Sequence, residues 1–162
     1  MEVKKWLLTI LLPFMILLSG CSSDPVQDDL LNYVNKEMKE AGKLERAAVS
    51  AYEGVSGKNY QDDQTMYDAL INDVIPNYNE FIKELESVKI ETDEVREIHE
   101  IYIEGADIQF NAFALIKQAL EEQDANLIQK ANEMLADARK HISDYQTKLD
   151  KLAKEHDVDI EK

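Results

Sequence analysis

Over residues 98–119 and again over residues 128–152, apolar and small side chains return every seven positions. In the first stretch one column is Ile98, Gly105, Ala112 and Ala119, and the other is Ile101, Ile108 and Leu115. In the second, Ile128, Leu135, Ile142 and Leu149 run beside Ala131, Ala138, Tyr145 and Leu152. A seven-residue period puts both columns on one face of a helix, a pattern that strand alternation cannot present. Only the neighbourhood of Gln123 and Asp124 separates the two stretches. The spacing therefore predicts two long helices paired antiparallel across a very short turn. Thr92 is the expected cap of the earlier helix, followed by Asp93 and Glu94 at the positive end of its dipole, and Asp124 is the expected cap of the later one. A column made mostly of Gly and Ala lets a neighbouring backbone come close.

The first half of the chain is also helical in pattern. Asp24-Pro25 joins a capping carboxylate to a proline at the first helical position, and Gln27 follows at capping-box spacing. Leu31, Val34, Met38, Ala41, Leu44/Glu45, Ala48, Tyr52 and Val55 then recur at three- and four-residue steps, until Gly57 is expected to stop the helix. A second stripe, Tyr67, Leu70, Val74, Tyr78, Phe81, Leu85 and Val88, predicts a helix from about Asp62 to Val88. Pro76 lies inside it and is expected to kink it, with two shorter helices as the alternative. Each of the four segments is near 30 residues, or about 45 Å at 1.5 Å per residue. The expected architecture is an all-α, up-down-up-down four-helix bundle of long antiparallel helices over residues 25–156, with residues 157–162 as a frayed polar tail. A helical-hairpin solenoid is the main competitor, but the chain lacks the roughly 34-residue repeat signature that such a fold would show.

Ahead of these helices stand Lys4 and Lys5, an apolar run over residues 6–18 interrupted by Pro13, and then Leu18-Ser19-Gly20-Cys21. A basic start, a short apolar segment and small residues before a cut form an export signal, and the run falls short of the about 20 apolar residues that span a bilayer. Cys21 is the only cysteine, and it sits before the polar Ser22-Ser23-Asp24, where there is no core to bury it. Leu18-Ser19-Gly20-Cys21 resembles the lipobox of bacterial lipoproteins. The resemblance implies cleavage between Gly20 and Cys21, removal of residues 1–20, and lipidation of the Cys21 thiol. Residues 21–24 are then a minimal tether to the outer face of a cell membrane. An ordinary secretory signal or an uncleaved anchor is the competing reading. The rest of the chain resembles the small, uncharacterised helical lipoproteins of Gram-positive bacteria, a likeness that carries no catalytic residues with it.

The formal charge of −15 sets further bounds. The leader holds Glu2 against Lys4 and Lys5, so its removal makes the remainder one unit more acidic still. Such a domain is repelled by nucleic acid, which requires the opposite sign. Anionic lipid headgroups repel it too, so attachment to a membrane falls to the lipid. With its sole thiol acylated, the chain has no disulfide and no cysteine nucleophile.

No nucleophile elbow, phosphate loop, zinc spacing or dinucleotide fingerprint is present, so no catalytic or metal residues and no cofactor are expected. A ferritin-like centre needs Glu-x-x-His on two helices, whereas Arg96, Ala138 and Ala153 stand three places before His99, His141 and His156. Folding the last two helices about Gln123-Asp124 puts His141 opposite Ala106, with Asp107 as an available partner, and leaves His99 about 10 Å away along the axis, on the solvent side of the seam. The tyrosines on the stripes are expected to pack their rings and point their hydroxyls outward. Phe110 and Phe113 lie off the seam, so they are either core or a partner surface. The expected function is a non-enzymatic, membrane-anchored extracytoplasmic interaction module that meets another envelope protein. The alternative is a small-ligand or cation-binding lipoprotein with Gly105, Ala112 and Ala119 as the floor of its cavity.

Overall fold

The computed structural model describes residues 24–160. The expected leader with Gly20, the expected lipidation position Cys21 and most of the expected tether lie outside the described residues. Among the described residues the chain is all-α, with no strand. The first helical segment is α1 (Pro25–Asn32), a π-helical turn (Tyr33–Glu37) and α2 (Met38–Glu53). A short 3₁₀ turn (Gly57–Asn59) leads to α3 (Asp63–Ala69), a second π-helical turn (Leu70–Val74) and α4 (Ile75–Glu86). Two long helices complete the chain, α5 (Asp93–Glu122) and α6 (Ala125–Glu155).

The helix ends follow from local chemistry, with three departures from expectation. Asp24 Oδ1 accepts from the Val26 and Gln27 N–H groups at 3.0 and 3.3 Å, and Asp124 caps α6 through the Asn126 N–H at 2.8 Å. Gln27, however, does not close a capping box; its carboxamide donates to the His156 carbonyl at 2.8 Å. Thr92 does not cap α5 with its own side chain. Its hydroxyl donates at 2.7 Å to Asp29, whose Oδ2 also accepts the Thr92 and Glu91 N–H groups at 2.8 and 3.1 Å. A buried carboxylate on α1 thus serves the N-terminus of α5, where a negative charge is favoured. The first segment also stops short of Gly57. It ends at Glu53, and Gly57 instead opens the next turn with φ +55°, a conformation that glycine adopts without strain.

The helical backbone continues through Pro76, with the π turn immediately ahead of it. A proline removes one backbone donor and crowds the carbonyl four residues back, and a widened turn is a common way to accommodate such a defect. Asn72 and Asn77 donate at 2.8 Å to the carbonyls of Asp68 and Asp73 on either side.

α5 lies at the centre of the packing. Its contacts with α3 and α4 run in opposite chain order, from Tyr67 on Glu121 at one end to His99 on the Leu85 carbonyl at the other. Its contacts with the first segment run in the same order: Asp29 on Thr92, Glu45 on Tyr102, Tyr52 on Phe113. The core is unusually aromatic for a chain with so few rings. Tyr52, Phe113, Tyr78, Phe81, Tyr102 and Tyr145 form an unbroken series with centroids 4.5–5.8 Å apart, each pair contributing about 0.5–1.5 kcal/mol beyond its buried area.

α6 packs along α5 and touches little else. Gly105, Ala112 and Ala119 are buried on the α5 side, as are Ala131 and Ala138 on the α6 side. A Cβ placed on Gly105 would stand 3.0 Å from His141 Cβ and 3.5 Å from the Ala138 carbonyl oxygen. The last residues correct another expectation. Residues 157–160 do not fray: Asp157 turns the chain at φ +53°, Val158 donates to the Ala153 carbonyl at 2.8 Å, and Val158 and Ile160 return to the core. Their alternation, not the overall polarity of the tail, decides its fate.

Gly105→Ala sets a gain in helix propensity of up to about 1 kcal/mol against overpacking of about 1–3 kcal/mol. The net expectation is a loss of about 1 kcal/mol in urea unfolding, and a stabilised variant would show that α6 yields at this contact.

Candidate functional site

Two features built by tertiary packing are candidates. The first is a row of polar groups inside the core. His99 is buried, and its Nε2 lies 3.0 Å from the Leu85 carbonyl oxygen. A carbonyl only accepts, so Nε2 carries the proton. Nδ1 of the neutral ring is then the acceptor of the Tyr33 hydroxyl, 3.0 Å away. The oxygen of Tyr33 is left to accept from the Tyr145 hydroxyl at 3.2 Å. The row therefore has a direction, from Tyr145 through Tyr33 and His99 to Leu85. Beside it, Tyr102 stacks on Tyr145 at 4.5 Å and donates to Glu45 Oε2 at 2.6 Å.

Burial sets the ionisation of this group. It depresses His99, partly opposed by the hydrogen bond to Leu85, and it raises Tyr33, Tyr78 and Tyr102 well above the ordinary phenol range. Tyr145 is pushed up to about 12, chiefly by burial. Burial also raises Glu45, although the Tyr102 hydroxyl and the charge of Arg46 work against it. Tyr78 stands apart, since its hydroxyl is buried with no hydrogen-bond partner.

The second feature is a long groove between α2 and α6, floored by α5. One lobe, of 490 Å³, is lined by Glu45, Arg46, Val49, Tyr52, Gln109, Leu135, Arg139 and Ile142. A second lobe, of 460 Å³, adjoins it at Tyr52 and Ser56 and continues past Tyr60, Met66, Ile116, Leu120 and Ile128. The groove exists because α6 lies close on α5, while the gap between α6 and the first segment is spanned by long side chains. At one end Tyr33 meets Tyr145, and Gln27 and Asp24 meet His156. Further along, the gap stays open as the groove, with Arg46, Tyr52 and Arg139 on its walls. Volumes of this size fall within the roughly 300–1,000 Å³ of small-molecule sites, which are mostly apolar with a few polar groups.

Most residues singled out in the sequence fall elsewhere. Phe113 is fully buried between Tyr52 and Tyr78, and Phe110 is half-buried and stacks on Tyr78 at 6.3 Å. The pair is therefore not an exposed partner surface. Tyr78 and Tyr52 occupy the side of α5 that the heptad count left open. His99 is in the core rather than on the solvent side. His141 stands over Gly105, one position from the expected Ala106, and lies 3.8 Å from Glu104 and Asp137 instead of meeting Asp107. His156 is 2.6 Å from Asp24 and holds that carboxyl below its usual range. The small-residue column is the closely packed seam of α6, not a cavity floor. Among the described residues no three His, Cys, Asp or Glu side chains gather as a metal site, and no helix is long and apolar enough to cross a membrane.

The groove residues were missed, although one signal was present: Glu45 shares the apolar register of the first stripe, where a carboxylate is out of place. Comparison of the chain with protein-family models, curated proteins and solved structures finds no match.

Two substitutions test the polar row against each other. Tyr33→Phe leaves a buried ring nitrogen and a buried hydroxyl without partners and is expected to cost about 1–3 kcal/mol of folding stability. Tyr78→Phe removes a hydroxyl that already lacks a partner and is expected to be neutral or stabilising in the same urea titration.

His99 also makes stability depend on pH. Its folded value lies below the ordinary 6.5, so the unfolded chain takes up a proton there that the folded chain resists. The contribution is full above that pH and is lost as pH falls through and below it. The stability difference between the native chain and His99→Gln is expected to narrow from about pH 8 to about pH 5, and a constant difference would show that His99 titrates alike in the folded and unfolded chain.

Proposed function

We propose that this chain is an extracytoplasmic bacterial lipoprotein, anchored by lipid at Cys21, that works by binding a small ligand in the groove between α2 and α6. In this reading the helices form an up-down-up-down four-helix bundle bent at Pro76 and opened along one side. The groove is the observation that carries the proposal. Helices in contact normally lie about 8–10 Å apart and interlock their side chains. α6 does so with α5, yet its other flank meets the first segment through isolated tyrosine, glutamine and histidine contacts. The open stretch combines apolar walls at Val49, Leu135 and Ile142 with polar groups at Glu45 and Gln109.

A module that docks another envelope protein is the leading expectation from the sequence, resting on the anchor, the minimal tether, the absence of catalytic motifs and the spare aromatics Phe110 and Phe113. With both rings packed against Tyr78, the ligand reading has the better support. The −15 charge argues against nucleic acid as the ligand. It also makes the lipid, rather than the protein surface, the means of attachment.

The test is native mass spectrometry of the full-length chain expressed in a bacterium and recovered from its membranes. The expected result is a chain that begins at Cys21 with a covalent acyl-glyceryl mass and carries a noncovalent adduct. Ser50→Trp, at an exposed position on the wall of the groove, is expected to remove the adduct while helical circular dichroism stays unchanged. A bare chain, or an adduct indifferent to Ser50→Trp, would remove the ligand reading. An unmodified Cys21 would remove the lipid anchor.

A further inference from the structure

The polar groups at the mouth of the groove are unevenly chosen. The chain has only three arginines, Arg46, Arg96 and Arg139, among 33 acidic residues. Arg96 is fully engaged, pairing with Asp93 at 2.9 Å and donating to the Ile90 carbonyl at 3.1 Å. Arg46 on α2 and Arg139 on α6 line the same lobe of the groove from opposite walls. Neither guanidinium makes an ion pair or hydrogen bond among the described residues, although carboxylates crowd most of the surface. Arg46 acts on Glu45 and Arg139 on Tyr52 through charge alone, so both forks keep their hydrogen-bond donors for an acidic group, which guanidinium binds through paired, charge-assisted hydrogen bonds.

The rest of the groove describes the other end of the ligand. From Tyr52 the second lobe is walled by Met66, Ile116, Leu120 and Ile128, with no cationic side chain among its lining residues. A ligand lying along the groove would have its polar end between the arginines and its apolar end over these side chains. Charge sets the head more narrowly. Glu45 and Glu53 also line the arginine lobe, and the chain as a whole is strongly negative. Arg46 and Arg139 offset Glu45 and Glu53 there, so the lobe is formally neutral; a carboxylate adds one negative charge to it and a phosphate monoester nearly two, and the smaller repulsion favours the carboxylate.

Resting on the reading of the groove as a ligand site, we propose that its ligand is a single-chain amphipathic carboxylic acid, its carboxylate between Arg46 and Arg139 and its apolar chain running past Tyr52 toward Met66 and Leu120. The site would select for an anionic head and an unbranched apolar tail, and would disfavour cations and nucleotides.

The probe is octanoate, with octanol as its uncharged match, titrated calorimetrically into the full chain held in neutral phosphatidylcholine nanodiscs, with empty nanodiscs subtracted. Octanoate is expected to bind more tightly than octanol, and raised salt is expected to weaken octanoate alone. Arg46→Gln and Arg139→Gln are each expected to weaken octanoate about tenfold while leaving octanol and the helical circular dichroism unchanged. Ser50→Trp is expected to abolish both. Equal binding of the two probes, or arginine variants that bind octanoate as the native chain does, would overturn the acidic head while leaving a groove ligand in place. Failure of both probes, with the membrane-derived adduct still displaced by Ser50→Trp, would overturn the amphipathic class alone. Failure of both with no such adduct would overturn the groove reading itself.

Discussion

The close approach of α6 to α5 at Gly105 is the contact on which the rest of the molecule depends. With hydrogen in place of a side chain there, α6 comes so near that a Cβ would stand 3.0 Å from His141 Cβ, closer than side chains ordinarily pack, and 3.5 Å from the Ala138 carbonyl oxygen. Helix separation is set by the side chains at the contact. A helix drawn this near to α5 along one face is left farther from α2 on its other flank. That gap must be filled by something long. Tyr33, Tyr145, Gln27 and His156 fill it at one end, and beyond them it remains a groove.

The tyrosines that span the gap bring their hydroxyls inside, and the buried row follows from that. A phenol in the core requires a partner; Tyr33 finds His99 and Tyr145, and Tyr102 finds Glu45. Each such pair fixes the register between elements far apart in sequence. Asp29 does the same at the start of α5, where it replaces a local cap with one from another helix. Tyr78, whose hydroxyl has no partner, shows that ring packing against Phe81 and Phe113 can outweigh the loss of one hydrogen bond. A buried hydroxyl left without a partner costs about 1–3 kcal/mol, and the ring pairs of Tyr78 with Phe81, Phe110 and Phe113, at about 0.5–1.5 kcal/mol each, offset it.

Much of this was legible beforehand. The heptad columns located α5 and α6 and the turn between them, and Asp24 and Asp124 marked two helix starts, because period and capping are local properties of the chain. The first errors came where a residue had a local role and a stronger distant one. Thr92 stands at a capping position and serves Asp29; Gln27 has the spacing of half a capping box and serves the His156 carbonyl. The π turns escaped notice because a widened turn shifts the register without any residue type that marks it. Phe110 and Phe113 were ambiguous because a helix count shows which residues share a face but not how many neighbours that face has.

The sequence by itself determined that the chain is built of long helices, where most of them begin and end, and which column would carry the tightest seam. These follow from side-chain period and backbone propensity, which act over a few residues. It also determined the strongly acidic character that any partner must tolerate. Only the tertiary structure decided that α6 leans on α5 and stands off α2, that His99 and four tyrosines turn inward, and that Arg46 and Arg139 share a cleft. Those outcomes depend on distances between segments separated by about a hundred residues, and such distances are fixed when competing packings are compared in three dimensions, not by any local pattern.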